Sequence, residues 1–482
     1  MSLKIYNSLT KREEEFAPIE EKHVRMYNCG PTVYDYFTIG NARNFIVAEV
    51  IRRYLEYKGY KVTFVQNVTD IEDKIIKKAN ETGVSPSDVA GKFADEYFKD
   101  MRRLGVKEPT FSPKATEHIK DIVDFVNKLV EKGIAYEIDG DVYYDLMKFE
   151  SYGKLSGQRI DEIMSGARIE IDERKRHPAD FALWKKSKPG EPEWDSPWGK
   201  GRPGWHIECS VMSSRYLGET FDIHSGGNDL IFPHHENEIA QSEALTGKSL
   251  ANYWVHNGML LINGGKMSKS LGNIKTIREL LEKYDSNAIR LYLLSAHYRA
   301  PLDLRDNSLE ESTSALNRIK NFLNLTKKPD MIQSEDALDD LSDAERELKN
   351  KVDNAYQKFE EAMDNDFNTP EAIGVIFDLI AAANRFASEN ERLSEQSRII
   401  LGMANSVALE LCEVMGIDFS HEKSIEDKSL VEDLISLIIE IRQDVRLRKD
   451  WAASDKIRDS LARLNIKLKD TRDGTLWQFG GD

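Results

Sequence analysis

The chain has 482 residues, of which 40% are hydrophobic and 31% are charged, so it is long enough for roughly three or four domains. Its formal net charge of −16 excludes a surface that is basic throughout, so any nucleic-acid contact must be local. No window approaches the ~18 apolar residues that a membrane span needs, and the first residues lack a secretory apolar core. Three cysteines are too few for a disulfide framework, and we expect a cytoplasmic protein without a membrane partner.

The first part of the chain alternates strand and helix patterns. A β-rich run, HVRMYN, ends at Cys29, and the loop FTIGN leads to a helical pattern from Phe45 to Lys58. A second β-rich run and a helix from about Ile71 follow. This alternation predicts a parallel, doubly wound sheet whose ligands sit beyond the carboxyl ends of its strands. We therefore interpret residues 1–112 as the first half of a nucleotide-binding domain.

The alternation stops between residues 113 and 204, which we predict to be an inserted module. AYEIDGDVYYDL is typical of a hairpin with an Asp139-Gly140 turn, and a loop rich in Pro, Gly and Trp follows. The strand-helix pattern returns in residues 205–250, the predicted second half of the same domain, and continues into residues 251–307. A sheet split in this way brings Cys29 near residues 209–238, because both follow neighbouring strands.

The remainder of the chain has a helical pattern. Apolar residues at helical spacing predict a bundle over residues 308–420, with an exposed acidic connection at 334–345 and a helix capped by Thr369. The polar stretch 421–429 indicates a linker, and residues 430–482 are predicted to form a small final domain.

The stretch HSGGNDLIFPHHENEIA carries a candidate pair of metal ligands, His234 and Glu238. With Pro233 at the first helical position, these two side chains share one helical face, and His235 points about 100° away. The preceding glycines indicate a tight loop that lets backbone approach a ligand. A solvated helical face explains such a pair more often than a metal site does, so partners are needed elsewhere in the chain.

Two loops have the composition of an ATP site. In KMSKS, two lysines and two small hydroxyls follow glycines, which suits negative charge developing in nucleotidyl transfer. The earlier loop TIGN opens a helix, so its backbone donors face a ligand. The candidate ATP-binding residues are Thr38, Gly40, Asn41, Lys266, Ser268 and Lys269. Taken singly, a solvated lysine turn and an ordinary strand-to-helix connection explain the two loops as well.

Together, the motifs resemble the class I aminoacyl-tRNA synthetases, which carry such loops on the two halves of a split nucleotide-binding sheet. Within that class, MYNCGPTVYDY, GWHIECS, IFPHHENEIAQSEA and KDWAASDKIRDSLARL are similar to the cysteinyl-tRNA synthetase family, over nearly the whole chain. The resemblance implies an α/β fold with a split, doubly wound parallel (Rossmann-like) catalytic domain and an inserted module. A helical bundle and a small C-terminal anticodon-binding domain would follow. It also implies a ligase that forms cysteinyl-adenylate from L-cysteine and ATP and transfers cysteine to tRNA(Cys).

The resemblance further implies one zinc ion per chain, with Cys29, Cys209, His234 and Glu238 as its ligands. Two thiolates, an imidazole and a carboxylate form a suitable Zn²⁺ donor set, and an open position would bind the thiolate of cysteine in preference to the serine hydroxyl. Such selection makes an editing domain unnecessary. Mg²⁺ is expected together with ATP. Cys412 lies in an apolar helical pattern and is interpreted as a buried core thiol.

By the same resemblance, the catalytic residues are Lys266, Lys269, Thr38 and Asn41. The family's first motif has histidines at both ends, where this chain has Thr38 and Asn41. Threonine and asparagine donate hydrogen bonds but do not become cationic. We therefore expect the two lysines, and above all Lys269, to supply the positive charge.

Trp205 and Asp229 complete the cysteine pocket in this resemblance, as a wall and as a partner of the substrate ammonium. Core packing of Trp205 and helix capping by Asp229 are equally good interpretations. Three further histidines crowd the same region and receive no role from the sequence: His206, His224 and His256.

The C-terminal region carries a local basic excess. Residues 442–472 contain ten Lys or Arg against five Asp or Glu, a local net of +5 in a chain whose sum is −16. The family places its anticodon-reading residues at positions that match Trp451, Asp455 and Asp470, and an aromatic side chain can stack on unpaired bases. A basic amphipathic helix with Trp451 in its core is the alternative.

The sequence leaves two alternatives to a tRNA ligase. One is a shorter kind of relative that activates cysteine but transfers it to an amino sugar, which would not need the basic C-terminal region. The other is a non-catalytic zinc- and RNA-binding paralogue of a synthetase. We also expect a monomer.

Overall fold

The computed structural model describes residues 2–160, 173–268, 271–326, 341–390, 392–419, 422–463, 466–471 and 474–479. The chain divides into two compact units, Met1–Ile417 and Asp418–Asp482. Among the described residues, no helix combines the length and the apolar character that crossing a membrane requires.

The strands of the first unit are β1 Lys4–Asn7, β2 Arg12–Glu15, β3 His23–Asn28, β4 Lys61–Gln66, β5 Ala135–Ile138, β6 Asp141–Tyr144, β7 Phe181–Lys186, β8 Gly201–Pro203, β9 Phe221–Gly227, β10 Ala251–Asn257, β11 Leu260–Ile262, β12 Gly265–Lys266 and β13 Leu302–Leu304. Its helices are α1 Ile39–Tyr57, α2 Asp73–Thr82, α3 Pro86–Arg103, α4 Ile119–Glu131, α5 Trp205–Leu217, α6 Glu236–Thr246, α7 Ile277–Leu281, α8 Ser286–Leu293, α9 Ser308–Leu325, α10 Asp343–Asp364, α11 Thr369–Glu389 and α12 Glu395–Val414. The second unit contains α13 Glu422–Leu447, α14 Trp451–Arg463, β14 Ile466–Thr471 and β15 Gly474–Phe479.

A parallel sheet with the strand order β10-β9-β3-β4 forms the centre of the first unit. The connection from β4 to β9 contains the insertion, so the sheet joins two distant parts of the sequence, as predicted. Asn28, at the end of β3, lies opposite Ser225 in β9. The carboxyl ends of both strands therefore meet at one edge of the sheet, where doubly wound folds bind their ligands.

The helix α1 begins earlier than its apolar pattern indicated, at Ile39 rather than Phe45. A capping box explains the difference: Thr38 Oγ1 accepts a hydrogen bond from the Asn41 amide, and the Asn41 side chain accepts one from the Thr38 amide. These polar contacts satisfy backbone donors of the first turn. The loop TIGN is thereby part of the helix start.

The inserted module contains an antiparallel sheet with the order β5-β6-β7-β8. Its first hairpin turns at Asp139 and Gly140, which have positive φ values of 54° and 93°, as a type I′ turn requires. This hairpin was predicted. Trp184 is fully buried in a core that also includes residues of α4.

Helices α9 to α12 give the bundle that was predicted after residue 308. The cap of α11 is Asn368, one residue before the predicted Thr369, and Pro370 lies in the first turn. Cys412 is completely buried, and burial raises the pKa of its thiol to about 12. In the acidic connection predicted at 334–345, residues 334–340 lie outside the described residues, whereas α10 begins at Asp343.

The second unit consists of α13, α14 and the hairpin β14-β15. Its small core contains Ile435, Ile439, Leu461 and Ile466. The linker predicted at 421–429 is wrong in its described part, because α13 begins at Glu422. Its polar composition suits an exposed helix as well as it suits a linker.

Candidate metal centre and nucleotide-binding loops

The four predicted zinc ligands converge at the carboxyl edge of the central sheet. Cys29 directly follows β3, Cys209 lies on α5, His234 lies in the turn after β9, and Glu238 lies on α6. All four side chains are buried. Gly30 permits this close packing, because a Cβ atom there would come within 1.6 Å of the Asn67 carbonyl oxygen.

The distances within this cluster suit a metal ion. The Cys29 and Cys209 sulfur atoms lie 3.9 Å apart, and two thiolates on a tetrahedral zinc ion are separated by about 3.8 Å. Glu238 Oε1 lies 3.5 Å from Cys29 Sγ and 3.0 Å from His234 Nε2. The four ligand atoms all lie within 4.8 Å of one another. The residues therefore fit zinc in donor type, number and spacing.

A second set of four donors overlaps the first. Cys29 and Glu238 also lie with His224 and His235 in a group whose ligand atoms are within 4.8 Å of one another. His235 Nε2 is 3.2 Å from Cys29 Sγ. The prediction that His235 points away from the ligands is therefore wrong.

The irregular backbone before α6 explains why His235 faces Cys29. The regular helix α6 starts at Glu236, not at Pro233, and Phe232 has the non-helical angles φ −135° and ψ 132°. The ideal rotation of about 100° per residue does not apply to an irregular turn. His234 and His235 therefore both face the buried cluster, although His234 and Glu238 still meet as predicted.

Neighbouring histidines hold the ligands in place. His224 Nε2 is 2.8 Å from Glu238 Oε2, and His206 Nδ1 is 2.9 Å from His234 Nδ1. Such contacts orient the ligating groups of metal sites. The sequence showed that these histidines crowd one region, but their partners follow from how β9 and α5 lie against α6 and the turn before it.

His235, the residue after His234, is also held by a neighbouring histidine. His235 Nδ1 lies 2.8 Å from His256 Nε2, and His256 Nδ1 lies 2.9 Å from Ser8 Oγ. Burial lowers the pKa of His256 to about 3, and it lowers the pKa of His235 well below the usual histidine value. Both imidazoles are therefore neutral at pH 7.

The electrostatics of the cluster favour a cation. The hydrogen bond from Cys29 lowers the pKa of Cys209 to about 6, and His234 acts in the same direction. Burial alone would raise the pKa of Glu238, but His224 and His234 hold it well below its usual range. Burial raises the pKa of Cys29, so binding of a metal ion there would release a proton.

Of the two residues predicted for the cysteine pocket, Trp205 contacts His234, whereas Asp229 lies in an exposed turn. The Trp205 ring stacks on His234, with ring centroids 4.3 Å apart, so it lies directly against a ligand. Asp229 is exposed in the short turn Asn228–Leu230, which follows β9. Their contacts with substrate stay predictions.

The first predicted ATP-binding loop lies at the start of α1. Thr38 and Asn41 satisfy each other in the capping box, which uses the Asn41 carbonyl oxygen and not its amide nitrogen. Gly40 is partly covered by Met267, whose Cε atom would be 2.9 Å from a Cβ atom at position 40. The structure thus brings the TIGN and KMSKS segments into contact.

The second loop follows a small hairpin. β11 and β12 pair through a turn at Asn263 and Gly264, both with positive φ, and Lys266 is exposed at its end. The Ser268 amide donates to Asn273 Oδ1 at 2.9 Å. Lys269 lies outside the described residues, so its role stays a prediction from the sequence.

The predicted anticodon residues lie in the second unit. Trp451 begins α14 with 58% of its surface exposed, so the alternative that placed it in a helix core is wrong. Asp455 forms an ion pair of 3.2 Å with Arg458. Asp470 lies in β14 opposite Thr475.

Comparison with known proteins agrees with this fold. Residues 15–314 match the model of the class I (C) tRNA synthetase catalytic domain, and residues 358–420 match the DALR domain. A methionyl-tRNA synthetase of Mycobacterium tuberculosis in complex with methionyl-adenylate has the same fold, with a TM-score of 0.63 and 16% identity over 82% of this chain and 91% of its own. The split parallel sheet is thus that of a class I aminoacyl-tRNA synthetase.

Two relatives extend the match along the whole chain. The cysteine--tRNA ligase of Thermococcus onnurineus (strain NA1) is 50% identical over 480 residues, which cover 99% of each chain. That of Heliobacterium modesticaldum (strain ATCC 51547 / Ice1) is 48% identical over 479 residues, which cover 99% of this chain and 100% of the relative. The chain belongs to the cysteine--tRNA ligase family.

Proposed function

We propose that this chain joins L-cysteine to tRNA(Cys) at the expense of ATP. The observation that carries this proposal is the buried cluster of Cys29, Cys209, His234 and Glu238 at the sheet edge. A donor set with two sulfur atoms, next to loops suited to a nucleotide, combines recognition of a thiol with activation of a carboxylate.

Zinc is the metal that these donors would hold. When bound, it would take the thiolate of cysteine as a further ligand, which serine cannot match because zinc prefers sulfur over a hydroxyl oxygen. The chain's own residues prepare that position: Trp205 stacks on His234, while His224 holds Glu238. Asp229, exposed beside the site, would accept the substrate ammonium.

The ATP phosphates would lie between the two loops, with Mg²⁺ bound to them. The start of α1 contacts the second loop through Gly40 and Met267, and the helix dipole favours an anion at this end. Lys266 and Lys269 would compensate the charge that develops on the phosphates. The residues assigned to ATP are Thr38, Gly40, Asn41, Lys266, Ser268 and Lys269.

The reaction would need no protein nucleophile. A carboxylate oxygen of cysteine attacks the α-phosphorus of ATP, and pyrophosphate leaves with the electron pair of the broken P–O bond. A hydroxyl of the terminal tRNA ribose then attacks the cysteinyl carbonyl, loses its proton, and AMP leaves. Catalysis consists of positioning and of charge stabilisation.

A tRNA acceptor is supported by the C-terminal region. An enzyme with a small sugar acceptor would need neither the DALR domain nor the local net charge of +5 over residues 442–472. We propose that residues 430–482 bind the anticodon, with Trp451, Asp455 and Asp470 in contact with it, and that the protein acts as a monomer in the cytoplasm.

Exchange of labelled pyrophosphate into ATP tests the first step. We expect exchange that depends on cysteine and is at least about 10⁴-fold weaker with serine at equal concentration. Addition of tRNA(Cys) should then yield cysteinyl-tRNA. Absence of exchange by the protein with zinc bound would contradict the proposal and favour a non-catalytic paralogue.

A further inference from the structure

Arg43 is completely buried in α1, two residues after Asn41. Its two terminal nitrogens lie 2.7–3.4 Å from five carbonyl oxygens, and its hydrogen-bond partners among the described residues are all backbone carbonyls. These oxygens belong to two chain segments: Gly258 and Met259, and His297, Tyr298 and Ala300.

Both segments lie just before strands of the small sheet that contains Lys266. Gly258 and Met259 directly precede β11, and residues 297–300 directly precede β13, its parallel neighbour. The Gly258 amide also donates to the Tyr298 carbonyl at 2.7 Å. A Cβ atom at position 258 would come within 2.5 Å of the Ala300 oxygen, so glycine is needed for this contact.

An arginine suits this position better than any other residue. Its guanidinium presents donors in a planar fork, whereas lysine presents three donors on one nitrogen. Burial lowers the pKa of Arg43 to about 10, so the side chain still carries its charge at neutral pH. Carbonyl dipoles surround that charge, and they lose their partner if the guanidinium is removed.

The far side of the same loop is also attached to the start of α1. The Ile39 amide donates to the Lys275 carbonyl at 3.0 Å, and the Ile277 amide donates to the Phe37 carbonyl at 3.1 Å. Both chain segments that flank the KMSKS motif are therefore bonded to α1 or to the residue before its cap. Met267 lies between them against Gly40.

The segment 297–300 is fixed from its other side as well. Asp366 is buried in the turn between α10 and α11, and its carboxylate accepts hydrogen bonds from Tyr298 Oη at 2.7 Å and from Arg299 Nε at 2.6 Å. Asp366 has the positive φ of 56°, which is unfavourable for a non-glycine residue and is held by these contacts. The segment that supplies three of the five carbonyl groups around Arg43 is thus attached to the turn between α10 and α11.

We propose that Arg43 is a positioning residue: its guanidinium fixes β11 and β12, and with them Lys266, relative to the ATP-binding turn of α1. It touches no substrate itself. The role rests on the proposed ligase function, since it concerns the geometry of ATP activation. An error of about 1 Å in the placement of a group that acts on the transition state can cost about 10²-fold in rate.

The test compares Arg43→Lys with Arg290→Lys. Arg290 is an equally buried arginine that pairs with Glu49 on the same helix α1, but its carbonyl partners, Leu104 and Met415, do not flank the loop. In cysteine-dependent pyrophosphate exchange, we expect Arg43→Lys to lower kcat/KM for ATP by about 10- to 100-fold. The KM for cysteine and the zinc content should equal those of the wild type. Arg290→Lys should lower the unfolding temperature without this selective loss.

Amide hydrogen exchange gives a readout that needs no turnover. Arg43→Lys should speed exchange in residues 260–266 and 302–304, whereas exchange in β9 and β10 stays unchanged. Equal ATP kinetics for the wild type and Arg43→Lys, or unaltered exchange in β11, would overturn the proposal.

If Arg43→Lys does not fold, Gly258→Ala must produce the same ATP-selective loss, and normal ATP kinetics in that variant would also refute the proposal. A wild-type protein without pyrophosphate exchange would refute the ligase function and leave the exchange of β11 amides to decide the role of Arg43.

Discussion

Glu238 connects the ligand cluster with the histidines behind it. Oε1 faces Cys29 and His234, whereas Oε2 contacts His224 at 2.8 Å. Its side chain is completely buried, and a buried carboxylate is stable only where cations or hydrogen bonds compensate its charge. Because Glu238 belongs to both possible donor sets, its substitution would not tell them apart, and residues that belong to one set are needed.

Cys209 and His235 each belong to only one of the two donor sets. We expect Cys209→Ser to lose zinc and cysteine affinity together, because a serine hydroxyl does not ionise as the Cys209 thiol does, with its pKa of about 6. His235→Asn should retain zinc. Metal analysis of the purified variants, combined with cysteine titration, measures both effects.

Cys412→Ser is the control, since Cys412 is buried in the bundle and should not alter the metal content. The reverse pattern, with zinc kept in Cys209→Ser and lost in His235→Asn, would assign the metal to Cys29, His224, His235 and Glu238.

Helix ends in the bundle are joined by one carboxylate. Glu345 completes the capping box of α10 with Ser342, and it also accepts hydrogen bonds from Ser394 and Ser397 at the start of α12. Two helix N-termini thus share one buried negative charge, which their dipoles favour. Burial alone would raise the pKa of Glu345, but the hydrogen bonds from Ser394, Ser397 and Ser342 lower it to about 2.

Glu345→Gln should therefore reduce the free energy of unfolding by about 2 kcal/mol at pH 7. Since the folded-state pKa of about 2 lies below the usual value of 4.5, the contribution is present above pH 4.5 and is lost as the pH falls through 2. Urea unfolding between pH 7 and pH 2.5 should show the two proteins converging in acid.

Glu347→Gln serves as the control, because Glu347 is exposed on the same helix and its ion-pair partner among the described residues is Lys351, at 3.9 Å. A difference between wild type and Glu345→Gln that does not change with pH would contradict this account of the carboxylate.

The whole chain distributes its charge unevenly. A net charge of −16 would repel nucleic acid, yet residues 442–472 carry a local net of +5. Trp451 is exposed in this region, at the start of α14, while Leu461 of the same helix belongs to the small core and Ile457 packs against it. The helix thus packs through some of its residues and leaves Trp451 exposed to solvent.

Trp451→Ala should lower kcat/KM for tRNA charging by about tenfold, because stacking of one base on an aromatic ring contributes about 1–3 kcal/mol. Pyrophosphate exchange should be unchanged, since that reaction needs no tRNA. Leu447→Ala, at a neighbouring exposed residue, should leave both activities intact. An equal loss of charging and exchange in Trp451→Ala would show that the side chain is structural.

Many structural features of this protein could be predicted from its sequence. The split sheet, the composition of the two loops and the Asp139-Gly140 hairpin depend on helix and strand periodicity and on turn chemistry, which short segments of sequence retain. The side chains that carry the chemistry are chemically distinctive. Cys29, Cys209, His234 and Glu238 were named as candidate ligands from the resemblance to a family, before their distances were known.

Other features depended on contacts between distant segments. His235 faces Cys29 because the turn before α6 is irregular, and helical periodicity does not describe such a turn. The sequence could not predict the contacts of Arg43 for a different reason. Its partners are backbone carbonyls, which every residue possesses. Side-chain identity records which atoms are present, whereas the folded backbone alone brings five of its carbonyl oxygens around one guanidinium.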